Sequence, residues 1–226
     1  MERRHFLAGG ASLAVMGGCA ASGETRPYDA AEVRQEYPPI GRFVTAEGLK
    51  VHYWERGRGP AVVLVHGASG NLRDWTFSVA RALADRYRVI AVDRPGLGYS
   101  ERPPVDGWDP AVQARVLRKA VAKIGAERPV LVGHSWGGAL AMAWALDAPG
   151  SLAGAVPVSG VTIPYGGIAS VVSFLGLDSL IVDAYSDYLL STAREGGVDR
   201  FLSRVFRPQE VPSGYAEYVG APLALR

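Results

Sequence analysis

Residues Gly133-His134-Ser135-Trp136-Gly137 set a serine between two glycines, each two positions away. That spacing suits a nucleophile. Leu131-Val132 before it reads as the end of a buried strand and Gly138-Ala139-Leu140 after it as the start of a helix, so Ser135 falls on a strand-to-helix turn. A turn that tight strains the serine backbone, and side chains in place of the flanking glycines would collide. The hydroxyl then stands at the carboxyl end of a sheet beside a helix N-terminus, where free N–H groups and the helix dipole favour an anionic intermediate. The five-residue pattern alone is weak, because 28 of the 226 residues are glycine. The strand and helix around it carry the reading.

Such an intermediate needs two N–H donors. The backbone of Trp136, directly after the serine, is one. The other is expected from His66-Gly67-Ala68-Ser69-Gly70-Asn71, with Ala68 as the donor. His66 ends a buried strand and reads as a structural histidine, and His134 should point away from Ser135. His52 falls in an early hairpin strand and His5 in the leader.

These residues need a scaffold, and the sequence supplies one. Arg42-Phe43-Val44-Thr45 and Lys50 to Glu55 read as a hairpin around Ala46-Glu47-Gly48. The apolar runs at 61–65, 89–92 and 129–132, with a weaker one at 154–158, fit strands of a parallel sheet buried on both faces. Helical patterns separate them. One runs from Phe77 to Tyr87; one starts at the capping pair Asp109-Pro110 and stops at Gly125; an Ala-rich one covers Leu140 to Leu146. Alternation of this kind predicts an α/β fold with a mostly parallel sheet and helices on both faces. Beyond Thr162 no buried strand is evident, and Ile168 to Val182 and Tyr185 to Leu190 look helical and apolar.

Composition excludes several classes. With 48% hydrophobic and 20% charged residues the chain can build a core, so disorder is ruled out. A formal net charge of +2 gives no case for nucleic acid as the main partner. One cysteine rules out an intramolecular disulfide and a cysteine-based metal cluster. No metal-ligand constellation or phosphate loop is present, and Gly96-Leu97-Gly98 lacks the third glycine of a dinucleotide fingerprint, so no cofactor is expected.

Three segments together, Val65 to Trp75, Asp93 to Pro103 and Gly133 to Gly138, resemble the α/β-hydrolase superfamily. There they would be the oxyanion loop, the turn after the fourth strand and the nucleophile elbow. The resemblance covers about residues 40 to 160 and implies Ser135 as nucleophile with Ala68 and Trp136 as oxyanion-hole donors. It also implies a small-molecule acyl substrate, such as a carboxylic ester. A serine at this position disfavours the haloalkane dehalogenase and epoxide hydrolase branches, which are similar in sequence but use aspartate. Residues 162–226 resemble the helical cap of the family, where Phe174, Leu177 and Ile181 would line an acyl pocket or form the cap's own core.

One departure from the family is plain. The family's acid and histidine follow the serine in the chain, yet no histidine follows His134. Asp178, Asp183, Asp187 and Asp199 lie in cap-like stretches with no strand ending beside them, so none reads as the acid. The expectation is a C-terminally truncated chain lacking two strands, the acid and the base, with an apolar parallel edge left open. Three activities remain: acyl hydrolysis, ligand binding on an inactive hydrolase fold, and carbon–carbon bond hydrolysis or perhydrolysis.

The first 18 residues read as an export signal. Arg3-Arg4 followed by Phe6-Leu7 resembles a twin-arginine signal, and Met16-Gly17-Gly18-Cys19 resembles a bacterial lipobox, implying lipid attachment at Cys19. An exported protein, periplasmic or anchored to the membrane by lipid, is the expectation. The mass of the mature N-terminus decides it. Residues 19–39 then form a tether, 40–161 the core and 162–226 the cap.

Overall fold

A computed structural model describes residues 31, 34–35, 37–68, 70–162 and 202–220. Six strands form one sheet: β1 (Arg42–Ala46), β2 (Leu49–Arg56), β3 (Ala61–Val65), β4 (Arg88–Val92), β5 (Val130–His134) and β6 (Gly154–Val158). Their order is β1-β2-β4-β3-β5-β6, and every pair from β4 to β6 is parallel, while β1–β2 and β2–β4 are antiparallel. Glu47 (φ 53°) and Gly48 (φ 79°) form the two-residue turn between β1 and β2, both in the left-handed region that a tight hairpin needs.

Both faces of the central strands are buried, which explains their continuous apolar runs. Val62 and Leu64 of β3 face Leu72 and Ala80 on one side of the sheet. Val63 and Val65 face Leu117, Leu131 and Leu140 on the other. The alternation follows from the two-residue period of a strand. Helices α1 (Arg73–Thr76) and α2 (Val79–Leu83) follow β3; of the helix expected from Phe77 to Tyr87 only Val79–Leu83 forms, and α1 lies before that range. Ser78 (φ −142°, ψ −61°) leaves helical geometry and splits the segment.

Helix α3 (Pro110–Lys123) starts as the sequence indicates: the Asp109 side chain accepts from the Ala111 N–H at 2.7 Å, and Pro110 occupies the first turn. Helix α4 (Trp136–Asp147) begins directly after Ser135, two residues before the start expected at Gly138. It packs against α3 and buries Leu140, Ala141 and Trp144. Helix α5 (Tyr215–Gly220) lies against α1: Tyr218 Oη is 3.0 Å from Thr76 Oγ1, and Phe77 meets Tyr215 edge-on at 5.2 Å.

Strand β6 closes the sheet among the described residues, bonded to β5 alone. Val156 and Val158 on it are 46% and 41% exposed, the open apolar edge anticipated from the sequence.

Candidate active site

The order β4-β3-β5 makes the chain leave β3 toward one neighbour and return on its other side. Loops at the carboxyl ends of β3 and β5 therefore diverge and leave a crevice, the usual ligand position in open α/β sheets. Both segments singled out above end there. Val65 of β3 is in register with Gly133 of β5, so the loop from His66 and the turn at Ser135 are adjacent.

Ser135 adopts φ 51°, ψ −117°, a conformation that costs roughly 1–3 kcal/mol for a residue with a side chain. Backbone bonds hold it in place. Its N–H donates to the Val158 carbonyl at 3.0 Å, and its carbonyl accepts from Gly138 and Val161 N–H groups, each at 2.9 Å. The flanking glycines are sterically required. A Cβ on Gly133 would lie 2.1 Å from the Gly137 carbonyl oxygen, and one on Gly137 would lie 2.6 Å from that of Val65. Elbow and β3 thus touch backbone to backbone.

The oxyanion-loop segment comes equally close. A Cβ on Gly67 would lie 3.1 Å from Ser135 Cβ. Neither the Ala68 N–H nor the Trp136 N–H has an acceptor among the described residues. As the first residue of α4, Trp136 carries one of the orphan donors of every helix start. Among the described residues, then, the N–H groups of Ala68 and Trp136 are both unpaired, one in the loop beside Ser135 and one directly after it.

His66 is fully buried, and both its ring nitrogens are committed. Nδ1 bonds the Gly67 carbonyl at 2.9 Å, and Nε2 accepts from the Arg94 N–H at 3.0 Å, which makes the ring neutral with its proton on Nδ1. Burial, with the Arg94 charge adding to it, depresses its pKa to about 3. It is structural, as read from the sequence. His134 stands edge-on to Trp75 at 6.5 Å, and burial lowers its pKa.

A histidine–carboxylate pair does exist, but elsewhere. His52 Nδ1 lies 2.7 Å from Asp93 Oδ2, both groups buried. Asp93 also accepts from the Leu72 N–H at 2.7 Å and the Tyr99 N–H at 2.9 Å, tying the starts of two loops to β2. β2 is three strands from β5, about 14 Å at ordinary strand spacing, so His52 is out of reach of Ser135. Reading the sequence missed this pair, although an aspartate ending an apolar strand before Gly96-Leu97-Gly98 was the available signal.

Behind the oxyanion loop, Asn71 is buried and fixed at both ends of its amide. Nδ2 donates to the Val219 carbonyl of α5 at 2.9 Å, and Oδ1 accepts from the Arg73 N–H at 2.9 Å. Asp74 packs beside Gly70, and burial, reinforced by the Asp93 charge, raises its carboxyl pKa to about 7. Cys19, Phe174, Leu177 and Ile181 lie outside the described residues. Among the described residues no cluster of His, Cys, Asp or Glu could hold a metal ion.

Comparison with known proteins agrees with this geometry. The family described as alpha/beta hydrolase fold matches residues 60–205, and the chain belongs to it. Haloalkane dehalogenase 2 of Mycobacterium bovis is 34% identical over 125 residues, covering 54% of this chain and 42% of that protein. A solved structure of a thermophilic esterase from Thermogutta terrifontis superposes with a TM-score of 0.52 at 28% identity, covering 56% of this chain and 48% of that one. Est816, described as an N-acyl homoserine lactone degrading enzyme, has a TM-score of 0.54 at 25% identity, covering 74% and 61%. The chain spans 34% to 42% of the length of the curated relatives it matches first.

Proposed function

We propose that this protein is a serine hydrolase acting on a carboxylic ester or similar acyl substrate. Ser135 Oγ attacks the acyl carbonyl, and the oxygen that becomes negative is received by the N–H groups of Ala68 and Trp136. The N-terminus of α4 adds its dipole at the same point. The observation that carries this reading is the backbone of Ser135: a strained φ of 51° held by three backbone hydrogen bonds, with the Ala68 and Trp136 N–H groups unpaired among the described residues. Strain of that kind persists where the surroundings over-determine it, and it clusters at reactive residues. The esterase and lactone-degrading neighbours support an acyl substrate. Carbon–carbon hydrolysis or perhydrolysis would use the same serine. The twin-arginine-like and lipobox-like start supports an exported, lipid-anchored location.

The proton leaving Ser135 requires a base and an acid to orient it. His5, His52, His66 and His134 are the only histidines of the sequence, and none of the described ones bonds Ser135. Neither role is assigned to a residue of these 226. The second reading is a ligand-binding protein on the hydrolase fold. Labelling of the native, full-length protein with a fluorophosphonate separates the two: an activated Ser135 forms a phosphonyl ester, and an unactivated one does not react.

A further inference from the structure

We infer that Arg94 is a positioning residue for the oxyanion hole, holding the Gly67–Ala68 peptide by its carbonyl so that the Ala68 N–H faces Ser135. The inference rests on the serine reading above and extends it to a residue outside the three motif positions.

Arg94 is 3% exposed and has no carboxylate within ion-pair distance among the described residues. Its Nη1 donates to Gln113 Oε1 at 3.0 Å, and its Nη2 donates to the Gly67 carbonyl at 3.0 Å. The guanidinium lies 4.3 Å above the Trp136 ring, and Nε has no partner. Burial lowers its pKa to about 9, so the charge is held at a cost. The Asp74 charge favours the guanidinium without forming an ion pair with it, and a buried cation so incompletely compensated is a poor way to stabilise a fold, where an apolar side chain of similar volume often does as well or better. Its retention calls for another reason.

The peptide geometry supplies one. In a trans peptide the C=O and N–H of one unit point in opposite directions. Gly67 O and Ala68 N belong to the same unit. The oxygen accepts from Arg94 Nη2 at 3.0 Å and His66 Nδ1 at 2.9 Å, with the Gly70 N–H of the same loop farther off at 3.4 Å. The Ala68 N–H is thereby turned outward, and Ala68 is exposed. A cationic donor on the carbonyl also polarises the amide and makes its N–H a stronger donor. The same guanidinium stacks on Trp136, whose N–H is the second donor. One buried side chain therefore bonds the Gly67–Ala68 peptide through its carbonyl and stacks on the Trp136 ring.

The test compares Arg94→Met and Arg94→Lys in the native, full-length protein, with rates normalised to folded protein. Losing one oxyanion donor costs about 100- to 1,000-fold in kcat, and misdirecting one should cost about 10- to 100-fold. Arg94→Met is expected to lower kcat for an aryl ester in that range with KM within about twofold, while Arg94→Lys recovers part of the loss. Affinity for an aryl boronic acid, whose adduct places an oxygen in the hole, should weaken by a similar factor. A kcat for Arg94→Met equal to wild type, or an unchanged boronate affinity, overturns the inference. The carbonyl carbon resonance of Gly67 reads the contact without turnover and should move in Arg94→Met. If Ser135 neither labels nor hydrolyses esters, the serine reading fails by itself, and an unmoved Gly67 resonance still overturns the role of Arg94.

Discussion

Replacing Asp74 with asparagine should make the protein lose stability on mild acidification, an effect masked in the wild type. Fully buried His66 and partly buried Asp74, both beside the oxyanion loop, titrate in opposite senses. His66 would have to take its second proton on Nε2, which already accepts the Arg94 N–H. Burial holds its pKa near 3, against 6.5 in the unfolded chain. Between those values the unfolded state binds more protons, so this stabilisation is complete above pH 6.5 and is lost as pH falls toward 3. Asp74 behaves oppositely. Its pKa is raised to about 7 from 3.8, so the folded state binds more protons, and stability is gained as pH falls from 7 toward 3.8. Each slope is about 1.4 kcal/mol per pH unit, and the two cancel over the shared window. Asp74→Asn removes one of them. From pH 6.5 to 5.0 the variant should lose about 2 kcal/mol relative to wild type. Urea denaturation midpoints at those two pH values measure it, and adding His66→Gln should flatten the profile again. Parallel pH profiles for wild type and Asp74→Asn would refute the reasoning.

Two further substitutions probe the backbone contacts that shape the site. Gly137→Ala brings a methyl within 2.6 Å of the Val65 carbonyl and 2.7 Å of the His66 carbonyl, so α4 must shift. The cost should be about 1–3 kcal/mol in urea unfolding, with a loss of any ester turnover larger than that stability loss explains. Asp93→Ala strips the acceptor from His52 Nδ1 and the Leu72 and Tyr99 N–H groups. Unfolding should become easier by about 3–5 kcal/mol, and a loss under 1 kcal/mol would contradict the tie between β2 and the two loops.

The strands and the elbow were legible because each has a local signature. Five-residue apolar runs buried on both faces could only be interior strands, and Ser135 with its glycines marks a turn that few other residues tolerate. What escaped depends on contacts between distant segments. His52 and Asp93 are 41 positions apart and meet only once β2 pairs with β4. Asn71 reaches Val219 across 148 positions. Arg94 sits in a segment that reads as a turn, and nothing local to it announces that its guanidinium runs under the elbow. The short helix at 73–76 and the early end of α2 at Leu83 were illegible for a different reason: apolar spacing does not register the non-helical Ser78 or where a helix stops.

The central claim is that Ser135 is a nucleophile facing a two-donor oxyanion hole. Mass spectrometry of the native, full-length protein after reaction with a fluorophosphonate tests it most directly. The account predicts one phosphonyl adduct, mapped to the peptide holding Ser135 and lost in Ser135→Ala with thermal stability unchanged. Absence of that adduct, or its persistence in Ser135→Ala, would contradict it.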